Sequence, residues 1–152
     1  ADNCINILSA ANSSVKIVKG AFEETNFEDK FFNLLVWDSP YLNTVDGITH
    51  SLNVACKTLV QGGYMWIKFR HPDSWFSKLG IHKDEFTVYH DKRAGPYAGS
   101  LYSFFTEKQA KQMLEKVGLL VFNSERVELW KKNSSERHVW TVFWVRADHG
   151  EG

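Results

Sequence analysis

A surplus of either charge is missing from this 152-residue chain, which has 18 lysines and arginines against 18 aspartates and glutamates. Phosphate backbones and anionic membranes select for basic surfaces, because a bound protein must neutralise their negative charge. The composition therefore gives no support to a nucleic-acid partner, without excluding one.

Long apolar runs are also missing, since no stretch approaches the roughly 20 residues that a membrane-spanning helix needs. The N-terminus has no basic stretch followed by an apolar one, which is the pattern of a secretory signal. From these two absences we expect a cytoplasmic protein with no membrane contact.

Cysteine is scarce, with Cys4 and Cys56 alone, and both lie in segments of helical periodicity. A small apolar thiol on such a segment usually fills the core. The two cysteines and six histidines show no metal-ligand spacing, so we expect neither a disulfide nor a metal site.

What the chain does contain is an alternation of helical and strand patterns in its first half. Residues 3–11 suggest a short helix, and residues 15–18 and 32–37 read as strands, the second apolar enough to be central and buried on both faces. Residues 48–60 repeat apolar side chains at helical spacing, and residues 64–69 return as a strand. This order predicts a mainly parallel sheet covered by helices.

The second half begins with residues 70–104, a long aromatic and charged segment that we interpret as a lid or substrate-binding insertion. Thr106 and Gln109 have the spacing of a capping box, and the helix that they open should end at Gly118 in a left-handed conformation. Strands at 119–130 and 138–146 follow. Their six-residue polar linker permits only an antiparallel hairpin.

Parallel units followed by an antiparallel hairpin resemble the class I, Rossmann-like methyltransferases that use S-adenosylmethionine, whose seventh strand inserts antiparallel beside the fifth. Residues 31–37 (FFNLLVW) are similar to the family's fourth strand, with Asn33 where an aspartate usually stands. Residues 59–65 (LVQGGYM) are similar to its Leu-x-Pro-Gly-Gly turn, with Gln61 in place of proline. Residues 101–119 are similar to the segment before the sixth strand in small-molecule and sugar methyltransferases.

The resemblance implies an α/β fold: a Rossmann-like, mostly parallel sheet flanked by helices, with a C-terminal antiparallel hairpin, in one domain over residues 1–152. The family's first two strands would lie before Ala1, with the glycine-rich turn and the acidic residue that hold the cofactor. We therefore expect the chain alone to bind S-adenosylmethionine weakly or not at all. An upstream segment, a rearrangement or a second copy in a homodimer would complete the sheet.

The candidate cofactor residues lie after two strands. The resemblance places residues 15–23 on the family's third strand and the loop beside the adenine, which assigns Gly20, Ala21 and Phe22 to the cofactor. Trp37, Asp38 and Ser39 follow the 32–37 strand at its carboxyl end, where open parallel sheets bind ligands. The alternative for Asp38 is a loop cap that bonds its own backbone.

The catalytic candidates are Asp38 and His71, the latter as a general base toward a hydroxyl, because its ordinary pKa is near neutrality. Lys68 resembles the catalytic lysine of ribose methyltransferases, or it merely extends to the sheet edge. The substrate candidates, which lie on the strand ends and in the lid segment, are Tyr41, Lys68, His90 and Tyr97. The tryptophans of the final hairpin are interpreted as core residues.

These features favour methyl transfer to an oxygen or nitrogen atom of a small molecule. Residues 38–41 (DSPY) are similar to the Asp-Pro-Pro-Tyr motif of amino-methyltransferases, but Ser39 replaces the first proline, so nucleic-acid methylation is a further alternative. The main rival is a methyltransferase-like module without catalysis that serves as an interaction domain. The missing glycine-rich turn favours the rival, whereas the polar residues at the strand ends favour the enzyme.

Overall fold

A four-stranded mixed sheet forms the centre of the computed structural model, which describes residues 18–150. The main-sheet strands are β1 (Phe32–Trp37), β2 (Leu59–Arg70), β6 (Leu119–Lys131) and β7 (Glu136–Ala147). The two helices are α1 (Val45–Thr58) and α2 (Glu107–Lys116). A small second sheet contains β3 (Gly80–His82), β4 (Thr87–His90) and β5 (Leu101–Ser103), and two 3₁₀ segments lie at Phe22–Glu24 and Lys92–Tyr97.

The strand order of the main sheet is β1-β2-β7-β6. β1 and β2 are parallel and are connected by α1, whereas β7 runs antiparallel to both β2 and β6. The predicted α/β class with a C-terminal antiparallel hairpin is confirmed. In the main sheet, as described over residues 18–150, one of the three strand pairs is parallel. The helix expected at residues 3–11 and nearly all of the strand expected at 15–18 lie outside the described residues.

Both helices pack on the same face of this sheet. Ile48 and Leu52 of α1 and Leu114 of α2 are fully buried against Ile67 of β2 and Phe143 of β7. Cys56 is a free thiol in this core, as predicted. Neither helix of the described chain is long and apolar enough to cross a membrane.

The opposite face of the sheet, here called the open face, is not covered by α1 or α2. Leu34 and Val36 of β1 are 54% and 69% exposed there. The expectation that this strand is buried on both faces is therefore wrong for the described chain, in which β1 pairs with β2 alone. Apolar side chains of the other three strands are also exposed on the open face: Tyr64, Leu120, Phe122, Val127, Leu129 and Trp144.

The second helix has the predicted capping box. The Gln109 backbone N–H donates to Thr106 Oγ1 at 3.3 Å, and the Thr106 backbone N–H donates to Gln109 Oε1 at 2.9 Å. Gly118 then ends the helix region with φ +88°, as predicted, and a Cβ added there would lie 2.7 Å from the Asp148 carbonyl oxygen. Close packing and backbone conformation both require glycine at this position.

A bulge divides β6 into two halves. Val121 is opposite Val145, and the next partner pair is Asn123 with Trp144, so Phe122 is an extra residue. Because side chains alternate between faces, the bulge inverts the alternation that follows it. Ser124 consequently lies on the helix side, where its hydroxyl donates to Glu107 Oε1 at 2.6 Å.

The small sheet lies within the segment predicted as a lid or substrate-binding insertion. Its three strands are antiparallel in the order β3-β4-β5. Phe76, Val88, Ala94 and Phe104 form a separate buried cluster beneath it. The insertion thus has a hydrophobic core of its own, although its irregular sequence gave no clear strand pattern.

Candidate functional site

The carboxyl ends of the two parallel strands meet at a polar pair. Trp37 of β1 is in register with Ile67 of β2, so the residues that follow them are neighbours. The Lys68 ammonium lies 2.6 Å from Asp38 Oδ1. Ligands of open α/β sheets bind at such strand ends, which makes this pair the natural starting point of a site.

Lys68 and Arg70 point to the open face, because they alternate with the core residues Ile67 and Phe69. Trp140 of β7 is directly opposite Arg70 on that face. Its ring lies 5.2 Å from the Lys68 ammonium and 4.2 Å from the Arg70 guanidinium carbon. Trp140 therefore connects the Asp38–Lys68 pair to Arg70.

Arg70 is 3% exposed and is enclosed by aromatic rings. No carboxylate within residues 18–150 forms an ion pair with it, and its Nε has no hydrogen-bond partner there. The rings within 6 Å of its guanidinium carbon are Trp140 at 4.2 Å, Phe76 at 4.9 Å, Tyr41 at 5.8 Å, Tyr97 at 5.9 Å and Tyr102 at 5.9 Å. We call Arg70 with these five rings the Arg70 chamber.

The chamber is assembled from four separate parts of the chain. Tyr41 comes from the loop after β1, Arg70 from β2, Phe76, Tyr97 and Tyr102 from the insertion, and Trp140 from β7. Tyr41 stacks on Tyr102 with ring centroids 5.5 Å apart. The insertion thus forms one wall of the chamber.

Hydrogen bonds attach the insertion to the main sheet on two sides. The Ser103 N–H donates to the Tyr41 carbonyl at 2.9 Å, and its hydroxyl donates to the Asn43 carbonyl at 2.6 Å. On the other side, Ser74 is buried and its hydroxyl accepts from the Val139 N–H at 3.1 Å. These bonds fix the distance between the two walls of the chamber.

Two buried histidines lie at the edges of the chamber. His138 Nδ1 is 3.5 Å from Arg70 Nη1, and its Nε2 has no hydrogen-bond partner in the described chain. His90 packs against both Tyr102 and Phe104, with ring centroids 5.4 and 5.8 Å away, and within residues 18–150 neither of its ring nitrogens has a hydrogen-bond partner. Burial lowers the pKa of both histidines, and the Arg70 charge lowers that of His138 further. Both rings are therefore neutral at neutral pH.

Two tyrosines of the chamber, Tyr41 and Tyr102, remain protonated phenols. Burial raises the pKa values of Tyr41 and Tyr102, and the positive charge of Arg70 opposes both shifts. Their hydroxyl groups can donate hydrogen bonds. The chamber therefore combines one fixed positive charge with neutral donors.

The residues predicted for the cofactor lie beside the end of β1. Phe22 contacts Trp37, with ring centroids 5.5 Å apart, and a cleft of about 130 Å³ is lined by these two rings with Leu35, Val36 and Met65. Gly20, Ala21 and Ser39 are exposed. Ala21 directly precedes the 3₁₀ turn Phe22–Glu24. The Glu23 carboxylate accepts from the Ser51 hydroxyl at 3.2 Å, which ties this turn to α1.

His71 lies apart from the other candidates. Its Nδ1 accepts from the Asp73 N–H at 3.1 Å, and its Nε2 is 3.5 Å from Arg126 Nη1. Arg126 is on the helix side of the sheet, because it pairs with Thr141, which in turn pairs with the core residue Phe69. Asp38 bonds to Lys68 on the other face. Although both catalytic candidates follow strand ends, Asp38 and His71 therefore do not share one rim, because alternation along β2 directs their contacts to opposite faces.

The four substrate candidates lie close together: Tyr41 and Tyr97 adjoin Arg70, Lys68 adjoins Trp140, and His90 stacks on Tyr102. The sequence pattern did not indicate Arg70, Tyr102 or His138, and it placed Trp140 in the core. One signal was available: Arg70 continues the alternation of Lys68, which places both side chains on one face.

The comparisons with known proteins agree with this architecture. No family model matches the sequence, and no curated protein matches it. A structure of an S-adenosylmethionine-dependent methyltransferase from Methanosarcina mazei has a TM-score of 0.68 at 15% identity over 85% of this chain and 65% of its own. The 1,6-didemethyltoxoflavin-N1-methyltransferase of Burkholderia thailandensis, solved with its substrate and S-adenosylhomocysteine, has a TM-score of 0.68 at 16% identity, with coverages of 95% and 56%.

A third structure, the methyltransferase CcbJ from Streptomyces caelestis, has a TM-score of 0.63 at 15% identity, with 95% of this chain and 69% of that chain covered. The chain spans less than two thirds of the first two structures. At such low identities the likeness establishes the fold alone. In the order β1-β2-β7-β6 the final strand lies antiparallel beside β2, as the sequence predicted. The chain has the fold of the class I S-adenosylmethionine-dependent methyltransferases.

Proposed function

We propose that the chain takes part in methyl transfer from S-adenosylmethionine to an oxygen or nitrogen atom of a small molecule. The observation that carries this proposal is the position of the Asp38–Lys68 pair, at the ends of two parallel strands and beside the Arg70 chamber. A scaffold has no need of a buried cation and unpartnered donors at this edge of the sheet. A methyltransferase needs a polar, water-excluding site there.

The residues near β1 fit the adenine end of the cofactor. Phe22 and Trp37 offer aromatic surfaces on which a flat ring can stack, and Leu35 and Met65 line the same cleft. No Gly-x-Gly-x-Gly turn occurs in the sequence, so the methionine end lacks its usual backbone contacts. We therefore propose that cofactor binding by this chain alone is weak and depends on Trp37.

The cofactor supplies a methyl group on a sulfonium, which the acceptor atom takes by in-line displacement. The chain's own residues position the acceptor and exclude water, since chemistry of this kind depends mainly on orientation. Tyr41, Tyr97 and Lys68 would hold the acceptor between the insertion and β2. Asp38 would orient Lys68 and accept the proton that the acceptor loses.

A rival function is an interaction module without catalysis. The open face favours it, because Leu34, Val36 and Tyr64 are each about half exposed or more on one contiguous sheet surface. Exposed apolar surface of this kind often marks a protein contact. The two functions are separated by whether the chain binds the cofactor at the end of β1.

Calorimetry with S-adenosylhomocysteine at millimolar concentration tests the proposal. We expect weak binding that Trp37→Leu abolishes, because this substitution removes the stacking surface. Trp144→Leu is the matched control, since Trp144 lies on the open face, away from the cleft. Binding that survives Trp37→Leu, or no binding by the native chain, would contradict the proposed cofactor contact and favour the interaction module.

A further inference from the structure

The chamber around Arg70 has an unbalanced positive charge. Lys68 is neutralised by Asp38, and the other nearby carboxylates have their own cations: Glu136 bonds to Lys132, and Asp91 bonds to Arg93 at 2.7 Å. His90 and His138 are neutral at neutral pH because burial lowers their pKa values. The fixed charges of the described residues around the chamber therefore sum to the single positive charge of Arg70.

Buried hydrogen-bond donors without partners concentrate at the same place. Every buried side-chain nitrogen that lacks a partner in residues 18–150 belongs to Arg70 or to a ring residue that adjoins the chamber: Trp75, His90, His138 and Trp140. Native proteins usually pair such groups. Arg70 Nε and the indole N–H groups of Trp75 and Trp140 are donors, and each neutral histidine can donate from one ring nitrogen. Unpaired donors around one unpaired cation are the arrangement that an anionic ligand completes.

We propose that Arg70 anchors a carboxylate of the substrate, and that the substrate carries this group on a flat apolar body. This assignment rests on the proposed function and names the chemistry of the ligand at its acceptor site. The planar guanidinium matches a carboxylate through two parallel hydrogen bonds. The partly exposed rings of Tyr97 and Tyr102 would provide the surface for the apolar body.

A monoanion fits this chamber better than a phosphate. One guanidinium balances one charge, whereas a dianion would leave a second charge uncompensated among aromatic rings. The Tyr41 and Tyr102 hydroxyls, whose pKa values are raised by burial, stay protonated and can donate to the carboxylate. Entry requires the insertion to move, because Arg70 is 3% exposed.

Thermal unfolding in the presence of sodium benzoate tests the inference, with sodium chloride at equal ionic strength as the salt control. We expect benzoate to raise the melting temperature of the native chain and inorganic phosphate to raise it less. Arg70→Met should weaken the apparent benzoate affinity at least about tenfold, the loss expected for one charge-assisted pair. Arg137→Met is the matched control, since Arg137 is on β7 but bonds to the exposed Glu128.

If Arg70→Met does not fold, Arg70→Lys keeps the charge and removes the fork, and we expect it to weaken benzoate binding as well. An equal benzoate shift in the Arg70 variants, or none in the native chain, would overturn the inference. A larger shift with phosphate would replace the carboxylate by a phosphate ligand. Cofactor binding that depends on Trp37 is measured separately. The proposed function can therefore fail while the Arg70 site is supported, and the Arg70 site can fail while cofactor binding is supported.

Discussion

The Lys68 ammonium lies 2.6 Å from the Asp38 carboxylate, so one ion pair joins the carboxyl ends of β1 and β2. The Asp38 side chain is 66% exposed and that of Lys68 is 20% exposed. Solvent screens the attraction at such a position, and the pair contributes little to stability. Its position at the strand ends points instead to a role in ligand binding.

Asp38→Asn should therefore change the free energy of unfolding by about 1 kcal/mol or less, as for other exposed pairs. Denaturant titration measures this change. Glu115→Gln is the control, because it removes the exposed Lys111–Glu115 pair far from the site. The same Asp38 variant should weaken S-adenosylhomocysteine binding, whereas the control should not. A large loss of stability with unchanged binding would make the pair structural.

His71→Asn should lower methyl transfer by the active protein less than about threefold, because His71 contacts Asp73 and Arg126 on the helix side. Loss of a true general base typically lowers the rate by about a hundredfold or more. Turnover of the variant under saturating substrate is the measurement. A hundredfold loss with unchanged cofactor affinity would restore His71 as the base that the sequence suggested.

Stability should fall as the pH is lowered below 6.5, the ordinary histidine pKa, because burial lowers the pKa values of His90 and His138 in the folded state. At pH values between the lowered pKa of the folded state and 6.5, the unfolded chain binds more protons than the folded chain. The histidine contribution to stability is therefore complete above pH 6.5 and is lost progressively as the pH falls toward the folded-state pKa values. Melting temperatures from pH 8 to pH 5 follow the change. His90→Phe should flatten the curve, and an unchanged slope would show that His90 titrates normally.

Gly118→Ala should destabilise the protein by more than about 1 kcal/mol. Its φ of +88° strains any residue with a Cβ, and the added atom would lie 2.7 Å from the Asp148 carbonyl. Gly99→Ala is the control, because φ is +78° there and the nearest atom is a hydroxyl at 4.0 Å. Chemical denaturation should show the larger loss at position 118. Equal losses would assign the effect to backbone strain alone.

Ser74→Ala should destabilise by about 1–3 kcal/mol, because it leaves the buried Val139 N–H without its acceptor. The Val139 carbonyl keeps the bond from the His71 N–H. Ser135→Ala, which removes an exposed turn bond, is the control. Hydrogen exchange of the Val139 amide should become faster in Ser74→Ala. Unchanged exchange would mean that the insertion is held by its other contacts.

The framework was predictable because its signals are local. The Thr106–Gln109 capping box, the left-handed Gly118 and the six-residue linker between two apolar strands each depend on neighbouring residues. The strands of the insertion were not predictable, because β3 and β5 have three residues each and therefore show no periodicity.

The site was predictable only in part, for a similar reason. Asp38 and Lys68 follow from the meeting of two strand ends. The burial of Arg70, in contrast, depends on rings from Tyr41 to Trp140 that are about a hundred residues apart in sequence. No short pattern indicates that an arginine at a strand end will be enclosed by them.

The bulge at Phe122 sets the face on which each side chain in the outer half of the hairpin lies. If Phe122 instead paired with Trp144, the rest of β6 would shift by one residue, and Arg126 and Glu128 would exchange faces with Val127 and Leu129. The contacts of Arg126 with Asp73 and of Ser124 with Glu107 would be lost together. A substitution along this strand changes one side chain, whereas a one-residue shift in pairing changes the whole half-strand, so this single extra residue determines which face four exposed side chains occupy.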